Sequence, residues 1–145
     1  MEIRIVKESI SKTTLKAIAE DQFGDFVKAP PMHKNLAAGR WHTLSLAEQL
    51  GNIGSEVGRA GHAQACRKLS LRQYQDDARF HGAVDRALEL FNLTLADPRW
   101  HGRLREIGRA YEIFCDAVLG GTEYGSSLAD LEGYFMQFAM AARRK

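Results

Sequence analysis

The Pro30-Pro31 dipeptide constrains the fold of this chain more than any other feature, because it separates two stretches of different periodicity. Proline lacks a backbone N–H and holds the preceding residue out of the α region, so no helix runs through this point. Upstream, Met1-Glu2-Ile3-Arg4-Ile5-Val6 alternates polar and apolar residues at the strand period. Ser9 or Ser11 then caps a helix carrying Leu15, Ile18 and Phe23, which Gly24 ends. Downstream, apolar residues recur at helical spacing almost to the C-terminus. A strand without neighbouring strands has nothing to pair with. Residues 1–31 therefore read as an appendage, and residues 32–145 as the unit that folds. The helix at 11–23 is expected to dock through Leu15, Ile18 and Phe23, and the strand to find a partner only in an assembly.

Beyond the prolines the sequence divides into four helical stripes. Ser45 and Glu48 make a capping-box pattern ahead of Leu46, Leu50, Ile53, Val57 and Ala60. Gly51, Gly54, Gly58 and Gly61 repeat on an adjacent face. Each costs a helix about 0.5–1 kcal/mol relative to alanine, so four of them imply a second helix crossing too closely for side chains. The stretch from Cys66 to Arg72 reads as a loop or a frayed end. A second helix spans about 73–96, with Phe80, Val84, Ala87, Leu88, Phe91 and Leu95 inward. Asp97-Pro98 supplies an N-cap and a first-turn proline for a third helix. Its stripe is Trp100, Leu104, Ile107, Tyr111, Phe114 and Val118, and Gly120-Gly121 stops it. Ser127 with Asp130 opens the last, which carries Leu128, Leu131, Phe135, Phe138 and Ala142. The predicted class is all-α, an antiparallel four-helix bundle with a short N-terminal strand-helix appendage.

With 145 residues, 45% hydrophobic and 26% charged, the chain can bury a core and lacks the composition of a disordered one. Cys66 and Cys115 form no disulfide-framework pattern. No apolar run nears the ~20 residues that span a bilayer, and the N-terminus lacks a signal-peptide core. A soluble cytoplasmic protein without membrane contact is expected. The net charge of +2 is too small to imply nucleic acid by itself, yet it is uneven. Residues 32–72 carry Lys34, Arg40, Arg59, Arg67, Lys68 and Arg72 against Glu48 and Glu56, whereas residues 73–99 lean acidic.

Two resemblances sit on either side of the prolines. Ile-Ala-Glu-Asp-Gln-Phe-Gly-Asp-Phe-Val-Lys at 18–28 resembles the start of a small uncharacterised bacterial α/β family. From about 33 to 144 the chain resembles an uncharacterised bacterial family of helical proteins. The segments that carry this likeness include Leu-Ala-Ala-Gly-Arg-Trp at 36–41, Ser-Leu-Ala-Glu-Gln-Leu-Gly-Asn-Ile-Gly-Ser-Glu-Val at 45–57 and Tyr-Phe-Met-Gln-Phe-Ala-Met-Ala-Ala-Arg-Arg at 134–144. The second resemblance implies a helical architecture and no activity.

Candidate chemistry is correspondingly sparse. His62 with Cys66, and Asp77 with His81, stand at i, i+4 on single helix faces, but no second ligand pair completes a zinc site. The expectation is no metal, no cofactor and no catalytic residue. Arg40, Arg59, Arg67, Lys68 and Arg72 form a basic segment with Trp41 and Tyr74 as stacking groups, a pattern that suits nucleic acid. Glu56, Glu89, Glu112 and Asp116 are the alternative carboxylate site, able to hold a divalent metal for nucleotide or RNA hydrolysis if they converge. Spare apolar residues at Trp41, Phe135, Met136, Phe138 and Met140 favour self-association. The sequence thus predicts a non-enzymatic, homo-oligomeric binding protein.

Overall fold

The structure, a computed structural model, describes residues 39–69 and 73–144. The expected strand, the helix at 11–23, the proline pair and Arg72 lie outside the described residues. Among those described there are four α-helices and no strand: α1 Leu46–Leu69, α2 Gln73–Leu95, α3 Leu104–Val118 and α4 Leu128–Arg143. Short 3₁₀ segments, Arg40–Thr43 and Pro98–Arg103, precede α1 and α3. The all-α class stands.

Local chemistry sets most boundaries. Gly39, at φ 118°, turns the chain into the first 3₁₀ segment. The Ser45 hydroxyl accepts from the Glu48 N–H at 3.2 Å, while the Glu48 carboxylate accepts from the Ser45 N–H at 2.7 Å, closing the capping box. Ser127 and Asp130 repeat the arrangement at the head of α4. α3 ends in a Schellman arrangement: Gly121 donates to the Asp116 carbonyl at 2.8 Å and Gly120 to that of Ala117 at 3.3 Å.

Two boundaries differ from expectation. α1 does not fray at Cys66 but continues to Leu69. Good helix formers (Ala60, Ala63, Ala65) carry it on, and buried Ala60 and Ala63 anchor the extension in the core. The third helix is not continuous from Pro98. Trp100 is non-helical at φ −100°, ψ 21°, and α3 starts only at Leu104. The Trp100 indole N–H reaches out to the Gln49 side chain at 2.8 Å, which holds this turn away from the α3 axis.

α1 is the hub. α2 returns antiparallel along it, as the Glu56–Arg86 and Arg67–Asp77 pairs show. On its glycine face α1 meets α4 in antiparallel register: Gly51 opposes Ala139, Gly54 opposes Phe135, Gly58 opposes Glu132 and Gly61 opposes Leu128. A Cβ built on Gly54 would stand 2.5 Å from the Phe135 Cβ, so the missing side chains are what lets the helices approach. Phe91 centres the core, its ring 5.3 Å from Tyr111, 5.6 Å from Phe114 and 5.9 Å from Phe135. In α3 every residue from Ile107 to Ala117 is buried, around the whole helix, including Arg109, Glu112 and Asp116. Glu112 is therefore no solvated boundary position.

Candidate functional site

Among the described residues, three polar groupings bear on the expected site residues. The first joins the start of α1 to the α2–α3 connection. Gln49, fully buried, donates to the Trp41 carbonyl at 2.8 Å and to Asp97 Oδ2 at 3.0 Å, while its Oε1 accepts from Trp100. Asp97 also accepts from the Arg99 guanidinium, whose Nη2 lies 2.7 Å from Oδ2 and 2.7 Å from the Leu44 carbonyl. His42 Nδ1 stands 3.2 Å from the same carboxylate oxygen without a hydrogen-bond alignment. The Arg99 contact holds the Asp97 carboxyl well below the usual carboxylate range, with the Gln49, backbone and His42 contacts adding to it and burial opposing it. The Gln49 amide is used on both its nitrogen and its oxygen, so this cluster is a latch on the fold.

This latch corrects one expectation. Trp41 is fully buried and its indole N–H donates to Thr94 Oγ1 at 3.0 Å, so it can neither stack on a base nor face a second copy. The basic residues around it do not form one surface either. Arg40 is exposed at the N-terminal end of α1 and Lys68 at the other, about 36 Å along a 24-residue helix. Arg67 turns back onto α2, 3.5 Å from Asp77 and with its guanidinium 4.3 Å over the Phe80 ring. Tyr74 is exposed.

The second cluster ties α3 to the loop that follows it. Tyr124 Oη donates to Glu112 Oε2 at 2.8 Å and accepts from Arg109 Nη1 at 3.1 Å. Asp116 accepts from the backbone N–H groups of Glu123 at 3.1 Å and Tyr124 at 2.9 Å. Burial and the Glu112 contacts raise the Tyr124 phenol above its ordinary value, so it stays a donor. Glu112 and Asp116 thus hold one tyrosine, the first by its hydroxyl and the second by its amide. Glu56, equally buried, is spent between Arg59 at 2.7 Å and Arg86 at 3.1 Å. Glu89 is buried on α2. Among the described residues no three His, Cys, Asp or Glu side chains gather to hold a metal ion, so the four carboxylates do not assemble the site expected of them.

The third place is a surface cleft of about 510 Å³ over the outer face of α1, walled by α2 and α4. Ser55, Arg59, His62 and Cys66 come from α1, each three or four residues from the next on one face, with Gly58 beside them. α2 contributes Asp76, Arg79 and Arg86, and α4 contributes Glu132. Among the described residues, Arg59 is the one member of the expected basic segment that lies here. Arg79 and Arg86 join it only because α2 folds back on α1; their spacing of seven on α2 was the available signal. No known protein family, curated protein or solved structure matches the chain.

Proposed function

We propose that this chain is a non-enzymatic binding protein, built as an antiparallel four-helix bundle, that works by self-association through the outer face of α4. The observation that carries this reading is an apolar stripe at spacings of four, three and four that nothing covers among the described residues: Ala129, Gly133, Met136 and Met140. Both methionines are 49% exposed, and a Cβ on Gly133 would meet nothing within 4 Å. The stripe is self-complementary about a two-fold axis near Met136. An antiparallel copy lays Met140 over the bare Gly133, the arrangement of an isologous dimer. It repeats the use of glycine that α1 and α4 make within one chain. Phe138, expected to belong to this face, packs instead against the core.

One helix face is a small contact, so the association belongs to the weak, transient class. Light scattering over a concentration series is the test. The expected mass rises from the 16.2 kDa of one chain toward twice that value, and Met136→Glu or Met140→Glu holds it at the monomer. A wild-type chain that stays monomeric throughout, or a dimer indifferent to both substitutions, sinks the proposal. Hydrolysis through Glu112 and Asp116 has less support, since Tyr124 takes one oxygen of Glu112, the loop backbone takes both of Asp116, and no third metal ligand stands beside them among the described residues. The free cysteines fit a cytoplasmic protein, and residues 1–31 are assigned to an appendage of the bundle.

A further inference from the structure

The two cysteines of this chain occupy opposite environments. Cys115 is buried in α3, and burial together with nearby Glu112 pushes its thiol up to about 12. Such a thiol is inert while the chain is folded. Cys66 is half-buried at the floor of the cleft, with His62 one turn earlier on the same face of α1. The His62 Nε2 lies 3.6 Å from the Cys66 Sγ, a hydrogen-bond distance for sulfur, so the imidazole is in place to take the thiol proton.

The cleft around this pair presents both signs of charge. Arg59 and Arg79 hold Glu56 and Asp76 through single Nη1 contacts of 2.7 and 3.8 Å, and their side chains remain 63% and 73% exposed. Among the described residues their other guanidinium N–H groups meet no carboxylate and can take one from a ligand. Glu132, exposed on the α4 wall, suits a ligand ammonium group. A molecule carrying carboxylates, an ammonium and a group that reacts with thiols matches this lining. We propose that Cys66 undergoes exchange with small zwitterionic disulfides of the peptide type bound in this cleft, with His62 as the proton acceptor.

The step balances without a further reactant. The Cys66 proton passes to His62 Nε2 and the sulfur attacks one sulfur of the ligand. The new Sγ–S bond forms as the ligand S–S bond breaks, and the departing thiolate takes the proton from His62. Cys66 is oxidised to a mixed disulfide and the departing half is reduced to a thiol. The site stands independently of the α4 face and of any assembly through it.

Mass spectrometry of the intact chain and its peptides tests this, with glutathione disulfide as the zwitterionic probe and hydroxyethyl disulfide as the neutral one. One adduct is expected, on the peptide that contains Cys66, and none in Cys66→Ser. Rates are normalised to those of the urea-unfolded chain, which removes leaving-group differences between the probes. In the folded chain the zwitterionic probe should then be favoured by about tenfold, the low end of what charge guidance gives an on-rate. Arg79→Ala should slow the zwitterionic probe more than the neutral one, so that the preference falls toward one, a result that mere loosening of the fold does not produce. His62→Gln should slow both probes by about tenfold or more. Adducts on Cys115, equal normalised rates for the two probes, or an unchanged rate in His62→Gln would each overturn the proposal.

Discussion

Alanine at Gly54 and at Gly58 should have opposite effects, although the two positions lie one turn apart and face the same helix. On an open helix surface either substitution stabilises by about 0.5–1 kcal/mol, because glycine loses the most backbone entropy on folding. At Gly54 the new Cβ falls 2.5 Å from the Phe135 Cβ, about 1 Å inside the contact optimum for two carbons. The Phe135 Cβ is fixed to its backbone and cannot swing away, so α1 and α4 must part. Overpacking of this kind costs about 1–3 kcal/mol, which outweighs the helix gain and leaves Gly54→Ala destabilised by about 1–2 kcal/mol. At Gly58 the nearest atoms are Glu132 Oε1 at 2.7 Å and Cδ at 3.0 Å, the free end of a flexible side chain. Rotation of that carboxylate costs little, so Gly58→Ala should stabilise by about 0.5 kcal/mol. Urea unfolding followed by far-ultraviolet circular dichroism resolves both changes, with an unchanged m-value showing that stability alone moved. In thermal melts the same differences correspond to about 2–4 °C per kcal/mol. A stabilised Gly54→Ala, or equal effects at the two sites, would refute the antiparallel register derived for α1 and α4.

Three further outcomes follow from the polar clusters. Gln49→Leu strips the Trp100 indole of its acceptor and the Trp41 carbonyl of its donor. It should cost about 2 kcal/mol or more, with tryptophan emission shifting red as the latch opens; unchanged stability and emission would count against the latch. Asp97 has a depressed folded pKa, so its contribution is complete above the unfolded value of about 4 and is lost as pH falls toward the folded value. Thermal melts between neutral pH and about pH 3 should therefore lose more stability in the wild type than in Asp97→Asn, and equal losses would contradict the assignment. Tyr124→Phe removes the hydroxyl that joins Arg109 to Glu112 and should cost about 1 kcal/mol. Hydrogen exchange should then accelerate in the 121–127 loop, and exchange unchanged there would show that the loop is held by other contacts.

What the sequence determined by itself is confined to contacts that span a few residues. The capping boxes at Ser45/Glu48 and Ser127/Asp130, the Asp97-Pro98 cap, which opens a 3₁₀ segment and not the third α-helix itself, and the Gly120-Gly121 stop were legible because each pairs groups within one or two turns. The apolar stripes were legible too, since helical periodicity is a local property; even the glycine face announced a close crossing, though not its partner. Tertiary structure decided the rest. It was packing on Thr94, far along the chain, that buried Trp41 and withdrew it from any surface role. Gln49 drew Trp100 out of the third helix, against a proline start that favoured continuity. Glu112 and Asp116, at a spacing that suits metal ligands, were committed to Tyr124 once the loop closed over them. Arg59, His62, Cys66, Arg79 and Arg86 came to share one cleft only when α2 folded back along α1. Sequence spacing fixes which side chains share a helix face, whereas a site made across helices depends on register and burial that exist only after the helices pack.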